Sequence, residues 1–288
     1  MMKCFYHSAD LDGHCSGATV KFKYPECEMF GINYGDEFPW GIIQKGETVF
    51  MVDFGLQPFF PNMLNLNAKC NLIWIDHHKS AIQEYEAARL NDPELAIPGA
   101  LCFDNSQAGC ELTWEYLFDT KVPRFVKLLS QYDVWNHSEP TTLPFQFGLR
   151  LYNTIPDEDG MELWHDLLDM DGSFESMTNQ IIEQGKLILR YNKQENEKYC
   201  SACSFETELD GLRCIAINKM LTNSQIFDSV WDDKKYDAML TFGFRKGMWT
   251  VSLYSDREDV DVSAIAKARG GGGHKGASGF QCEKLPFI

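Results

Sequence analysis

What this 288-residue sequence lacks narrows it first. No run approaches the 18 consecutive apolar residues of a membrane span. The opening Met1-Met2-Lys3-Cys4-Phe5-Tyr6-His7 is too short an apolar stretch for a secretory signal and reads as a first strand. Positive charge is scarce: 26 Lys and Arg stand against 42 Asp and Glu, leaving −16. A protein that grips a long nucleic acid needs a basic stripe, so the charge argues against that class. A small anionic substrate is not excluded, because bound divalent cations reverse the local potential of an acidic pocket. There is no internal repeat, and no low-complexity tract beyond the glycines at 270–273. Only one Cys-x-x-Cys pair occurs, Cys200 and Cys203, with no second pair to complete a zinc site. The ten scattered cysteines read as reduced thiols of a cytoplasmic protein.

What is present is an alternation. Short apolar runs at 3–6, 29–33, 48–52 and 71–75 read as strands, with helical stretches at 13–23 and 58–66 between them. Strands alternating with helices predict a parallel α/β sheet. Further helices are expected at 109–118, after Asn105-Ser106-Gln107-Ala108, and at 123–132. Residues 161–199 read as largely helical, interrupted at Gly172 and Gly185. The texture then changes: 213–218, 238–244 and 249–254 read as strands of a second sheet, and 262–269 as a helix ending at the glycines. The expected layout is a catalytic α/β domain over 1–145, a helical connector over 146–199 and a smaller α/β substrate domain over 200–288, with the site in the cleft between them.

Three predicted strands run into metal-ligand residue types: His7-Ser8-Ala9-Asp10-Leu11-Asp12-Gly13, then Val52-Asp53, then Asp76-His77-His78. Open parallel sheets bind ligands beyond the carboxyl ends of their strands, so all three segments are expected at one edge. A fourth acid, Asp133, follows the helix at 123–132. Singly, an Asp at a strand end is usually a turn or cap residue. Together, His7, Asp10, Asp12, Asp53, His77 and Asp133 number about what two divalent cations need, with one carboxylate bridging them. Such a pair, about 4 Å apart, braces a phosphate and generates a nucleophile. Carboxylates suit Mg²⁺ or Mn²⁺, and the imidazoles favour Mn²⁺.

These motifs resemble the DHH phosphoesterases. The triplet is Asp76-His77-His78, the first motif Asp10-Leu11-Asp12-Gly13, and Asp53 and Asp133 stand for the second and fourth. The segment Gly270-Gly271-Gly272-Gly273-His274-Lys275-Gly276 is similar to the glycine-rich (GGGH) signature of the C-terminal domain associated with that family. The resemblance implies that His7, Asp10 and Asp53 hold one ion and that Asp12, Asp53, His77 and Asp133 hold the other. Asp53 would bridge and act in catalysis, His78 would face the scissile phosphate, and Asp76 would orient a histidine. His7 leaves two readings open, ligand or neighbour of the site.

Gly271, Gly272, Gly273, His274 and Lys275 would bind substrate, since consecutive glycines let backbone N–H groups form an anion nest. The plainer reading of those glycines is a helix cap. Many relatives resemble Ser-Leu-Arg-Ser in the preceding strand, whereas this chain has Ser252-Leu253-Tyr254-Ser255. Tyr254 then stacks a base or packs in the sheet, and Arg257 or Arg269 supplies the charge. Gly109-Cys110-Glu111 opens a helix whose N–H groups either bind phosphate or are capped by Ser106.

The function implied is a metal-dependent, oligoribonuclease-like phosphodiesterase that cuts short oligonucleotides or dinucleotides to 5′-mononucleotides. The alternatives are a cyclic or linear dinucleotide phosphodiesterase, a 3′-phosphoadenosine 5′-phosphate phosphatase, and, in another class, an inactive nucleotide-binding protein. No membrane partner is expected, and oligomeric state is left open.

Overall fold

The computed structural model describes residues 2–104, 106–136, 138–169 and 174–287, so Asn105 and Gly172 lie outside the described residues. The chain divides into two compact units, Met1–Leu189 and Arg190–Ile288.

In the first unit, β1 (Met2–His7), β2 (Glu28–Ile32), β3 (Thr48–Val52), β4 (Asn71–Asp76) and β5 (Gly99–Leu101) form a sheet in the order β2-β1-β3-β4-β5. Every pairing is parallel. Alternation along the strands builds both faces. Val49 and Met51 of β3 join Phe5, Leu72 and Trp74 under α2 (Phe59–Lys69) and α3 (Lys79–Asn91). Phe50 and Val52 join Cys4, Tyr6 and Ile75 under α1 (Leu11–Lys23) and α4 (Gly109–Leu117).

A second layer of helices completes the unit. It consists of α5 (Arg124–Asp133), α6 (Thr142–Leu149), α7 (Met161–Leu168) and the start of α8 (Phe174–Cys203). Phe125, Phe145, Trp164 and Ile181 pack there against Leu11, Cys15 and Trp114. Gly185 does not interrupt α8, which runs unbroken through it. A Cβ there would lie 1.7 Å from the Pro144 carbonyl oxygen, and one on Gly148 would lie 2.0 Å from that of Ile181. The two glycines let α6 and α8 cross backbone against backbone.

In the second unit, β6 (Phe205–Leu209), β7 (Leu212–Asn218), β8 (Ala238–Arg245), β9 (Met248–Tyr254), β10 (Gly272–His274) and β11 (Ala277–Cys282) form a mixed sheet ordered β10-β11-β9-β8-β7-β6. Its core includes Leu240, Val251, Leu253 and Phe280, against Val262 and Ala266 of α9 (Val262–Lys267). All ten cysteines are free thiols. Among the described residues, no helix is long and apolar enough to cross a membrane.

Candidate metal centre

The ends of β1, β3 and β4 lie side by side at one edge of the parallel sheet. The expected ligands follow from them. Asp10 caps α1, taking the Gly13 N–H on Oδ1 at 2.9 Å, while its Oδ2 lies 3.0 Å from His7 Nδ1. Asp53 follows β3 and is 1% exposed. Its Oδ2 is 3.5 Å from His7 Nδ1, and its Oδ1 is 3.2 Å from His77 Nε2. That same nitrogen is 3.2 Å from Asp133 Oδ2 and 3.7 Å from Asp12 Oδ2. His7, Asp10 and Asp53 thus form one ligand-type group, and Asp12, His77 and Asp133 another. Asp53 stands between them, and His78 joins it and His77 in a third group.

Asp76 is fully buried and orients His78, not His77. Its Oδ1 lies 2.7 Å from His78 Nδ1 and accepts the backbone N–H groups of His77 and His78 at 2.8 and 3.0 Å. Its Oδ2 accepts the Trp74 indole N–H at 3.2 Å. His78 Nδ1 is thereby engaged, which leaves Nε2 for a ligand.

The α4 N-terminus serves a purpose the sequence did not reveal. Ser106 does not cap the helix, and Gly109 N and Cys110 N donate to Asp12 at 2.8 and 2.9 Å. They fix a carboxylate that is 97 residues away in sequence.

Charges crowd accordingly. Burial opposes the His7 imidazolium, but the Asp10 and Asp53 carboxylates beside it prevail and lift it to about 10. Burial and then the Asp53 contacts act likewise on His77, which reaches about 9. Burial also works against the Asp53 carboxylate, yet His7 and His77 hold it well below the usual range. Asp133, raised by burial and then by the Asp53 charge, reaches about 6. Asp12 is pushed well above the carboxylate range by burial and by Asp53 and Asp133. The His78 imidazole, opposed by burial and favoured by Asp76, is raised.

The donor set fits divalent cations. His7 Nδ1, Asp53 Oδ1 and both ring nitrogens of His77 are buried without a hydrogen-bond partner of good geometry. Buried polar atoms are nearly always paired. Three of these atoms, His7 Nδ1, Asp53 Oδ1 and His77 Nε2, lie in the ligand-type cluster and could coordinate a divalent cation.

The other expected site residues belong to the second unit. Gly270 (φ +75°) caps α9: its N–H reaches the Lys267 carbonyl at 3.1 Å, and the Gly271 N–H reaches that of Ala266 at 2.9 Å. Gly272, Gly273 and His274 are not a loop but the edge strand β10, with Gly273 at φ +134°. Lys275 donates to the Glu258 carbonyl, and the Tyr254 hydroxyl reaches the Thr222 carbonyl at 3.4 Å. Arg257 is engaged by Asp259 and Asp237, and Arg269 by Asp210. Sequence reasoning passed over Tyr34, whose ring packs on Phe54 and edge-on to His7 and His78.

No protein-family profile matches the chain. It is 27% identical over 250 residues to an uncharacterized protein of Acanthamoeba polyphaga mimivirus, an alignment covering 82% of this chain and 53% of that protein. The chain thus spans about half the length of the curated relative it matches. Among solved structures, it aligns with a pGpG-specific phosphodiesterase from Vibrio cholerae (12% identity, 97% of this chain and 92% of that one, TM-score 0.49). It also aligns with the DHH domain of a member of the s1p family of ribosomal proteins (15% identity, 96% and 82%, TM-score 0.42).

Proposed function

We propose that the chain is a two-metal phosphoesterase of the DHH type that cuts short oligonucleotides or dinucleotides to 5′-mononucleotides. One observation carries the reading. Three strand ends and the end of α5 bring His7, Asp10, Asp12, Asp53, His77 and Asp133 into two ligand groups, with Asp53 between them. Two Mn²⁺ or Mg²⁺ ions held there would neutralise phosphate charge and supply a nucleophile at neutral pH.

The chain's own residues do the remainder. Asp53, fixed on both sides by imidazoles, ties the two groups to one geometry. Asp76 clamps His78 at Nδ1, so its other nitrogen can donate a proton-bearing contact to charge that builds on a phosphate oxygen. Tyr34 and Phe54 pack on each other beside His7, and Tyr34 also packs against His78.

The deciding experiment is hydrolysis of a dinucleotide by metal-free protein to which Mn²⁺, Mg²⁺ or Ca²⁺ is returned. Activity should vanish on chelation and return best with Mn²⁺, because two ligands are imidazoles. Full activity in excess chelator, after dialysis, sinks the two-metal reading.

A further inference from the structure

A cavity of about 330 Å³ adjoins the carboxylates Asp10, Asp12 and Asp133, wholly inside the first unit. Part of its wall is formed by α6 and its C-cap, through Gln146 and Arg150. Two features of that wall are unexplained by folding.

First, Gln146 is 5% exposed and its Oε1 has no hydrogen-bond partner. A buried amide oxygen left unpaired costs stability, and it stays in place where a ligand completes it. Second, Arg150 borders three carboxylates yet makes no ion pair or hydrogen bond through its guanidinium among the described residues. Its guanidinium lies over the Phe147 ring, 4.9 Å from the ring centre. A guanidinium beside so much negative charge ordinarily collapses onto it. Arg150 instead stays exposed at the cavity it lines with those acids.

The two groups are complementary in chemistry. Arg150 offers a planar fork of donors that fits a phosphate. Gln146 Oε1 only accepts, so it takes a hydroxyl or amine hydrogen and not an unprotonated phosphate oxygen. Residues four apart on a helix present their side chains to one face, so both groups can serve a single ligand. The volume lies at the small end of ligand sites, which span roughly 300–1,000 Å³, and suits one nucleotide rather than a strand.

We propose that this cavity seats one nucleotide unit of the substrate, its phosphate on Arg150 and a sugar hydroxyl or base amine on Gln146. The proposal rests on the phosphodiesterase reading for its substrate class.

The test uses the full chain loaded with Mn²⁺, on a ribodinucleotide bearing a 5′-terminal phosphate, its deoxy counterpart and bis(p-nitrophenyl) phosphate, which has neither sugar nor base. Arg150→Ala should raise KM for both dinucleotides about tenfold or more, the scale of a charge-assisted hydrogen bond. It should weaken calorimetric binding of a 5′-mononucleotide by a similar factor, with Mn²⁺ stoichiometry unchanged. Arg150→Lys should recover part of the loss. Gln146→Met, similar in shape but without the acceptor, should raise dinucleotide KM about three- to tenfold and spare the chromogenic diester. A loss confined to the ribodinucleotide assigns the donor to the 2′-hydroxyl; equal loss assigns it to a base amine or a shared hydroxyl.

Unchanged KM and mononucleotide affinity in Arg150→Ala, with an active wild type, overturn the proposal. So does loss of Mn²⁺ from Arg150→Ala, which would make this wall a support of the metal centre. Should Gln146→Met fail to fold, the exposed Arg150 decides alone. A wild type that binds mononucleotide through Arg150 but hydrolyses no diester sinks the phosphodiesterase reading and leaves the subsite standing.

Discussion

Asp53 occupies left-handed backbone space, with φ at 53°, a conformation that costs a non-glycine residue energy. Its N–H still reaches the Ile75 carbonyl at 2.8 Å, so the distortion turns the side chain into the site without breaking the sheet edge. Protons compete for the same place. His7 and His77 stay protonated below about 10 and 9, because their carboxylate neighbours favour the cation. Metal needs neutral imidazoles and must expel those protons. Mn²⁺ affinity should therefore rise as pH goes from 6 to 8, by up to about tenfold per unit for each proton displaced. Calorimetry in buffers of different ionisation enthalpy should show proton release, and a flat affinity would contradict the ligand assignment. The two histidines of the triplet should also separate. His77→Ala is expected to lose metal, whereas His78→Ala should keep it and lose roughly 10²-fold in turnover, the usual loss with one proton donor. Equal metal loss in both, read by atomic absorption, would show the pair wrongly assigned. That these residues gather at one sheet edge was legible in sequence, because acids and imidazoles recur where apolar runs stop. The Asp53 backbone and the pairing of Asp76 with His78 were not, since both depend on contacts across strands.

At the scale of elements, the pattern of residues shows a helix more readily than what the helix does. The start of α4 was readable from Gly109, yet not its partner: Asp12 lies on another helix and takes the Gly109 and Cys110 N–H groups. The strands β5 and β10 span three residues each, too short for any periodicity to register. The helix α3 buries only Ala81, Ile82 and Tyr85, so its sequence lacks a broad apolar stripe. Gly185 reads as a helix break and proves to be a crossing point. Gly109 offers a test at this scale. A Cβ there would lie 2.7 Å from Asp53 Cβ and 3.0 Å from Asp12 Oδ2. Gly109→Ala should displace both carboxylates, lowering Mn²⁺ affinity about tenfold and stability by about 1–3 kcal/mol, as overpacking does. Unchanged affinity would mean the α4 start does not set the ligand geometry.

Across the whole molecule, the charge of −16 acts on substrates before any contact forms. A dinucleotide carries few charges and spends little time in the field outside the site. A long strand drags many phosphates past an acidic surface and is repelled at each. Cations at the ligand groups attract only what lies within reach. The Debye length is about 8 Å at 0.15 M salt, so phosphates farther away feel the acidic surface and not the ions. Oligonucleotides of two to about five residues should therefore be cut faster than a twenty-four-mer at low salt. Added salt should narrow the gap by raising the rate on the long strand more than on the short one. Initial rates on labelled strands across a salt series measure both effects. A twenty-four-mer cut faster than a dinucleotide at every salt concentration would point to a protein that tracks along its substrate, which a chain with 26 basic and 42 acidic side chains has little means to do.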